Sequence, residues 1–527
     1  MSPVDGQQSY QGMYDPLVAH RARLLDPTQA ARLASDELDT TLYLTDSVLV
    51  VGEPDSDEVN EFRDWLSEKH IIAVPDETNA RNHANDGSRE RTTTWVCQLR
   101  LSAEEGFAVS IDPWAIIQDY RAASRNSEQR ATAATAEAST RDRRRIEKPT
   151  TVGLDHLMEA GILGQTKTVG GTKTVGGGTK TVGGTKTVGG GVVDEYAFAG
   201  LGGRTPVAFV GAAPARAADL DTRPTVVLLD TGIGDHPWLR DGVTVVAPAD
   251  IADLATIAPP GDVGAEPEAT GVVHYGLEGR IDDFSGHGTF IAGLIRQACP
   301  DADLIMVQVM GADGLVSEGS MINALDALAA QHVLGKRRID AVSMSFGYYA
   351  ETEDADKTAS LFSSLQNLSD HGVALVAGAG NDATDRPMYP AAFTTIERLI
   401  SVGARNPNGS VALFSNAGHW VDTYWVGAQV ISTAPRTFQG AGEPTARTHG
   451  DGHVRESLDL DDFSDRRVSA EPRDEQWSPA GFATWSGTSF AAPAFLGFCL
   501  QQHLAAGQPP AGELSEVARD VAKQYRS

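Results

Sequence analysis

The sequence predicts an α/β chain: a parallel sheet with helices on both faces, preceded by a small α/β (α+β) N-terminal domain and a low-complexity linker. Three observations lead there. Short, almost wholly apolar runs recur at 225–230, 304–310, 341–346, 373–377 and 399–402, and strands buried on both faces read as such runs. Helical patterns fall between several of them, at 288–297, 320–332 and 358–371, which is the alternation of a parallel sheet. Asp230 ends one run, and Gly347 and Asn381 follow two others. In open α/β sheets, ligands bind at those carboxyl ends.

Taken in order, residues 1–40 read as a polar extension with a short helical pattern over 17–33. Residues 41–123 read as a small domain: a strand over 47–51, a helix over 59–69 with Val59, Phe62, Trp65 and Leu66 on one face, strands at 71–74 and 94–101, and a helix over 113–122. Residues 124–223 read as a linker, because 123–148 is rich in Ala, Ser, Glu and Arg and 166–190 repeats Thr-Lys-Thr-Val-Gly-Gly from Thr166, Thr172, Thr179 and Thr185. Six-residue units rich in glycine are too short for helical repeats and suit a flexible spacer. The main domain is expected over 224–507, with an insertion at 432–483 and a C-terminal tail at 508–527.

The 527 residues carry 43 basic and 71 acidic side chains, a formal charge of −28. That excess argues against nucleic acid and against an anionic membrane surface as partners. No apolar run approaches the ~20 residues of a membrane span, and the first residues lack a secretory pattern, so a cytoplasmic setting is expected. Cys97, Cys299 and Cys499 have no metal-ligand spacing and are expected as buried thiols. His449 and His453 sit among glycines, and the acids Asp459, Asp461, Asp462 and Asp465 form no calcium-loop pattern. No metal and no cofactor is expected, and oligomeric state is left unspecified.

Three stretches carry chemistry. Asp230 closes an apolar run and is followed by Thr231-Gly232. His287 lies between glycines at a helix start, in Asp282-Asp-Phe-Ser-Gly-His-Gly-Thr289. Ser489 stands in Gly487-Thr-Ser-Phe-Ala-Ala-Pro493, at the head of an apolar helical run. A hydroxyl at a helix N-terminus has unpaired backbone N–H groups and the positive dipole end beside it, which suits a developing oxyanion. The order Asp, His, Ser is one of the few known for hydrolase triads.

On these motifs the chain resembles the subtilisin-like (subtilase, S8-type) serine proteases, over about residues 222–505. The segment Val376-Ala-Gly-Ala-Gly-Asn381 resembles the one that carries the family's oxyanion asparagine. The resemblance implies a serine endopeptidase with Asp230, His287 and Ser489 as triad and Asn381 in the oxyanion hole. It implies that Gly314, Leu315 and Val316, and Ser345, Phe346 and Gly347, flank the substrate backbone as strands, with Ser345–Gly347 and Ala377–Gly380 (Ala379 and Gly380 among them) lining the pocket for the residue before the scissile bond. A peptide or protein is then the partner. Phe290 and Ala494 stand where many relatives have histidine. Secreted relatives carry a small pro-domain that blocks the cleft, so 41–123 reads as pro-domain-like or regulatory. Self-processing is expected in the linker, between about 189 and 223. The alternatives are a peptide-processing or macrocyclising acyl transferase using the same triad, and a catalytically silent binding scaffold.

Overall fold

The computed structural model describes residues 16–28, 30, 38–85, 91–135, 152–160, 205–209, 211–246, 268, 284–352, 360–436, 447–448, 454–455, 481–506 and 514–524. The repeats at 166–190, with His449, His453 and the acids of 459–465, lie outside them.

The N-terminal part holds helix α1 (Pro16–Ala19), β1 (Ala22–Leu25), β2 (Thr41–Val51), α2 (Asp57–Ser67), β3 (Ile71–Pro75), α3 (Glu77–Asn85), β4 (Val96–Ala103), α4 (Pro113–Thr135) and β5 (Val152–Glu159). Strand β2 is central, paired antiparallel to β1, β4 and β5, with β3 beyond β4. Alternation along β2 divides it: Val48 and Val50 pack with Phe62, Leu66, Trp114 and Ile117 of α2 and α4, while Leu49 faces the core of the next domain. Ser56 starts α2 by accepting from the Val59 N–H, a side-chain cap.

The main domain continues with β6 (Thr205–Pro206), β7 (Thr225–Asp230), β8 (Val243–Val246), α5 (His287–Ala298), β9 (Asp303–Gln308), β10 (Leu315–Ser317), α6 (Glu318–Val333), β11 (Ala341–Met344), α7 (Ser360–Asp370), β12 (Ala374–Gly378), β13 (Leu399–Arg405), β14 (Thr423–Val426), β15 (Val430–Thr433), β16 (Arg447–Thr448), β17 (Val454–Arg455), β18 (Phe482–Trp485), α8 (Thr488–Ala505) and α9 (Leu514–Gln524). Seven strands form a sheet in the order β14-β13-β12-β11-β7-β9-β8, and every pair in it is parallel. Val227 and Leu229 face α6 and α7, while Val226 and Leu228 face α5, α8 and α9. Two buried faces explain why these strands read as continuous apolar runs. Among the described residues no helix is long and apolar enough to cross a membrane.

Several boundaries differ from the sequence reading. Residues 1–40 are more than a polar extension, since β1 joins the first sheet and Leu25 is buried. The small domain runs past residue 123: α4 continues to Thr135, and β5 lies inside the stretch read as linker. The described part of 205–223 is bound to the main domain. Strand β6 pairs with β18, Arg216 bonds Asp303, and Arg223 bonds Asp301. The insertion at 432–483 begins and ends inside the antiparallel pair β15–β18, with the short pair β16–β17 within it. The tail at 508–527 contains α9, whose Leu514, Ala518, Val521 and Ala522 make one buried face.

The first sheet docks on α6 and α7 through its second face. Asp155 of β5 accepts from the Gly319 N–H at the start of α6 (2.9 Å), satisfying a helix-end donor. It also accepts from Ser47 and Gln98. Asn79 and Asn82 bond the side chain and carbonyl of Asn323, and Arg91 bonds Asp326. Strand β5 reaches furthest, pairing antiparallel with β10.

Candidate active site

Asp230 is the last residue of β7 and His287 the first of α5. Parallel strands and helix starts meet at the sheet's carboxyl end, which brings the two together. The imidazole Nδ1 lies 2.9 and 3.0 Å from the Asp230 carboxylate oxygens. Both residues are 1% exposed. The Thr231 N–H also donates to Asp230 Oδ1 (2.8 Å). Glycine is required on both sides of this histidine. Gly286 has φ 82°, the left-handed region that favours glycine, and a Cβ on Gly288 would lie 2.2 Å from the Gly232 carbonyl oxygen.

Ser489 lies in the first turn of α8, which packs on α5. Its neighbour Phe490 places its ring 5.3 Å from that of His287, and Trp485 stands edge-on at 5.5 Å. Ser345, just beyond β11, donates to the Ser489 carbonyl (2.9 Å). Asn381 follows β12. Its Oδ1 accepts from the Thr488 N–H (2.7 Å), and its Nδ2 would stand 3.7 Å from a Cβ on Gly487. Gly380 N–H donates to Thr488 Oγ1 (3.0 Å). One end of the sheet thus gathers Asp230, His287, Ser489 and Asn381. Phe290 packs edge-on against Trp485 and tilted against Phe490.

The residues expected to flank substrate form two edges with a strand between them. Leu315, Val316 and Ser317 pair with Glu159, Met158 and Leu157 of β5. Gly314 accepts from the Ala160 N–H (2.9 Å), and Gly347 exchanges both backbone bonds with Glu159 (2.9 Å each). Residues 157–160 therefore lie between the 314–317 and 345–347 edges. The Gly314 end of this strand is the end near His287, since Gly314 abuts the Phe284 ring, which lies 5.7 Å from the His287 ring. Phe346 and Ala379 are buried beneath, and Ala379 N–H donates to the Val402 carbonyl.

The sequence reading passed over two acidic features. Glu268 is buried behind the pair, accepting from Thr231 Oγ1 (2.6 Å), Thr289 Oγ1 (2.6 Å) and the Gly286 N–H (2.9 Å). Burial pushes its pKa up to about 7, against the pull of those bonds. Both threonines stand in the motifs already singled out, but nothing around Glu268 marks it. The second is the contact of His156 of β5 with Glu318 (2.6 Å) and Glu351 (2.9 Å). Those residues lie far apart in the chain and meet only when β5 docks.

The model of the Subtilase family matches residues 221–498. The Major intracellular serine protease of Bacillus subtilis (strain 168) is 29% identical over 194 residues, covering 34% of this chain and 56% of that protein. The Intracellular serine protease of Paenibacillus polymyxa is 26% identical over 244 residues (43% and 64%). Subtilisin Savinase of Lederbergia lenta is 28% identical over 221 residues (40% and 66%). Each alignment spans between 56% and 66% of the relative's own length. A solved structure of a cold adapted subtilisin-like serine proteinase is 21% identical, covering 58% of this chain and 84% of that one at a TM-score of 0.36. With the family model matching more than half of its length, the chain belongs to the Subtilase family.

Proposed function

We propose that the chain is a serine endopeptidase in which Ser489, His287 and Asp230 form the triad and Asn381 supplies the oxyanion donor. The observation that carries this reading is the buried Asp230–His287 pair, set against a helix that begins at Thr488-Ser489. Ser489 Oγ attacks the scissile carbonyl while its proton passes to His287 Nε2. Asp230 holds Nδ1–H and stabilises the imidazolium. The Asn381 amide and the Ser489 N–H bind the oxyanion. Collapse expels the amine, which takes the proton from His287. Water then enters by the same route, releases the acid and restores Ser489.

The strand of residues 157–160 stands for the substrate backbone in this reading, as an extended peptide added between two edges. Self-processing belongs to the same proposal. The described part of 205–223 is bound to the main domain, so the first cut falls in the residues that follow Ala160. The N-terminal domain is then a tethered inhibitor until cut. A cytoplasmic setting fits two relatives named as intracellular proteases and the free thiols of Cys97, Cys299 and Cys499.

The test is digestion of a peptide library by the full chain beside its Ser489→Ala form, read by mass spectrometry. Cleavage with gain of water, present only with Ser489, is expected. Equal cleavage by both forms removes the triad assignment.

A further inference from the structure

Strand β5 carries a charged side chain into the main domain. Both imidazole nitrogens of His156 are bonded to carboxylates, Nδ1 to Glu318 and Nε2 to Glu351, and its ring lies 4.4 Å from that of Tyr348, nearly parallel. The other Glu318 oxygen accepts from the Leu361 N–H (3.0 Å) at the start of α7, which fixes this carboxylate toward the imidazole. Glu318 and Glu351 are 1% and 8% exposed. Two buried carboxylates this close require a cation between them, and an aromatic face beside them favours one further. Burial alone would strip His156 of its proton, but the bonds and charges of Glu318 and then Glu351 outweigh it and hold its pKa at about 10.

The position of this pocket along the cleft is set by strand register. Glu159 pairs with Gly347, and His156 is three residues toward the amino end. The pairing with β10 ends at Leu157 and His156 itself pairs with Tyr43 of β2, so a substrate between the same two edges that stays extended for one residue beyond them places its own side chain there.

We propose that Glu318 and Glu351, with Tyr348, form a subsite for a cationic side chain of the substrate, three residues before the one paired with Gly347, and that His156 is its internal occupant. This rests on the reading of residues 157–160 as a stand-in for substrate. With the scissile bond beyond Ala160, the basic residue falls at the fifth or sixth position before the cut. A substrate carboxylate there would meet two like charges, and a neutral side chain would leave both unpaired. Glu351 is the residue to alter, because Glu318 also bonds the start of α7.

The experiment has two arms, both on the full chain. In the first, wild type and Glu351→Gln digest a peptide library. Wild type is expected to favour Lys, Arg or His over Gln at that position by about 10-fold or more in kcat/KM, the scale of a charge-assisted hydrogen bond, with Glu disfavoured. Glu351→Gln should flatten the preference to about 3-fold or less. Ser489-dependent cleavage without that preference overturns the subsite and leaves the endopeptidase reading standing. Absence of any Ser489-dependent cleavage overturns that reading, and the second arm then decides the pocket alone.

That arm needs no turnover. In the Ser489→Ala chain, hydrogen exchange at the Glu159 and Ala160 amides reports how firmly β5 is held. His156→Gln should speed it by about 10-fold or more, and His156→Lys or His156→Arg should restore protection. If neither cation protects better than glutamine, the proposal falls.

Discussion

Among the described residues, His287 and His156 are buried and bond carboxylates, and in the proposed mechanism the difference between them separates a proton carrier from a fixed cation. His287 uses only Nδ1, toward Asp230; among the described residues its Nε2 makes no hydrogen bond. His156 has both nitrogens engaged, by Glu318 and Glu351, and a pKa held at about 10. General acid–base work needs a nitrogen open to the reacting group and a pKa near the working pH. One carboxylate orients a histidine and leaves it usable; two lock it as a charge. The comparison also divides the molecule, since the first histidine is the one proposed to move protons at the site and the second grips one domain on another.

The largest test of this contrast is at His287. His287→Ala and Ser489→Ala should each lower peptide hydrolysis by about 10⁴-fold or more, and the double variant should be no worse than either, because the pair acts as a unit. Additive losses in kcat would break the first half of the comparison. Asn381→Ala comes next, with turnover down by about 100- to 1,000-fold at nearly unchanged KM; an effect on KM alone would deny it the oxyanion role.

The grip of His156 should follow pH. In the undocked chain this histidine titrates near its ordinary value of about 6.5, and docked it titrates at about 10. Its stabilisation is therefore complete below about pH 6.5 and is lost as pH rises through 10. The Glu351 carboxyl, held low by His156 once burial is outweighed, adds a loss on the acid side as pH falls through its docked value. Protection of the Glu159 amide, its exchange measured against the base-catalysed rate of an unprotected amide, should thus be greatest between these limits, and flat protection from pH 7 to 11 would contradict the assignment. The smallest expected effect belongs to Glu268. Glu268→Gln places an amide donor among three donors and should cost about 1–3 kcal/mol of stability, read as a shift in the denaturant midpoint, with turnover reduced far less than by Asn381→Ala.

The parallel sheet was legible because its strands are buried on both faces, and the candidate site because three motifs stand at strand and helix ends. Strand β5 was not. Val152–Glu159 mixes Leu154, Leu157 and Met158 with Asp155, His156 and Glu159, which reads as a polar linker. The charges of Asp155 and His156 are buried only because Gly319, Glu318 and Glu351 of the other domain receive them. Long-range partners leave no local period. Helix α9 differs: its buried face is present in the sequence, but it lies beyond the last motif and reads as tail. Glu268 has neither period nor motif, and its role comes only from the threonines that close on it.

In the proposed mechanism one cleft holds a histidine that works and a histidine that blocks. The most direct measurement is the initial rate at which freshly purified full-length His156→Gln cleaves a soluble peptide, beside full-length wild type and His287→Ala. The expected rate for His156→Gln is about 10-fold or more above wild type, because the tethered strand is loosened by the loss of a charge-assisted contact, and His287→Ala should show no detectable rate. A His156→Gln rate equal to or below wild type would contradict it.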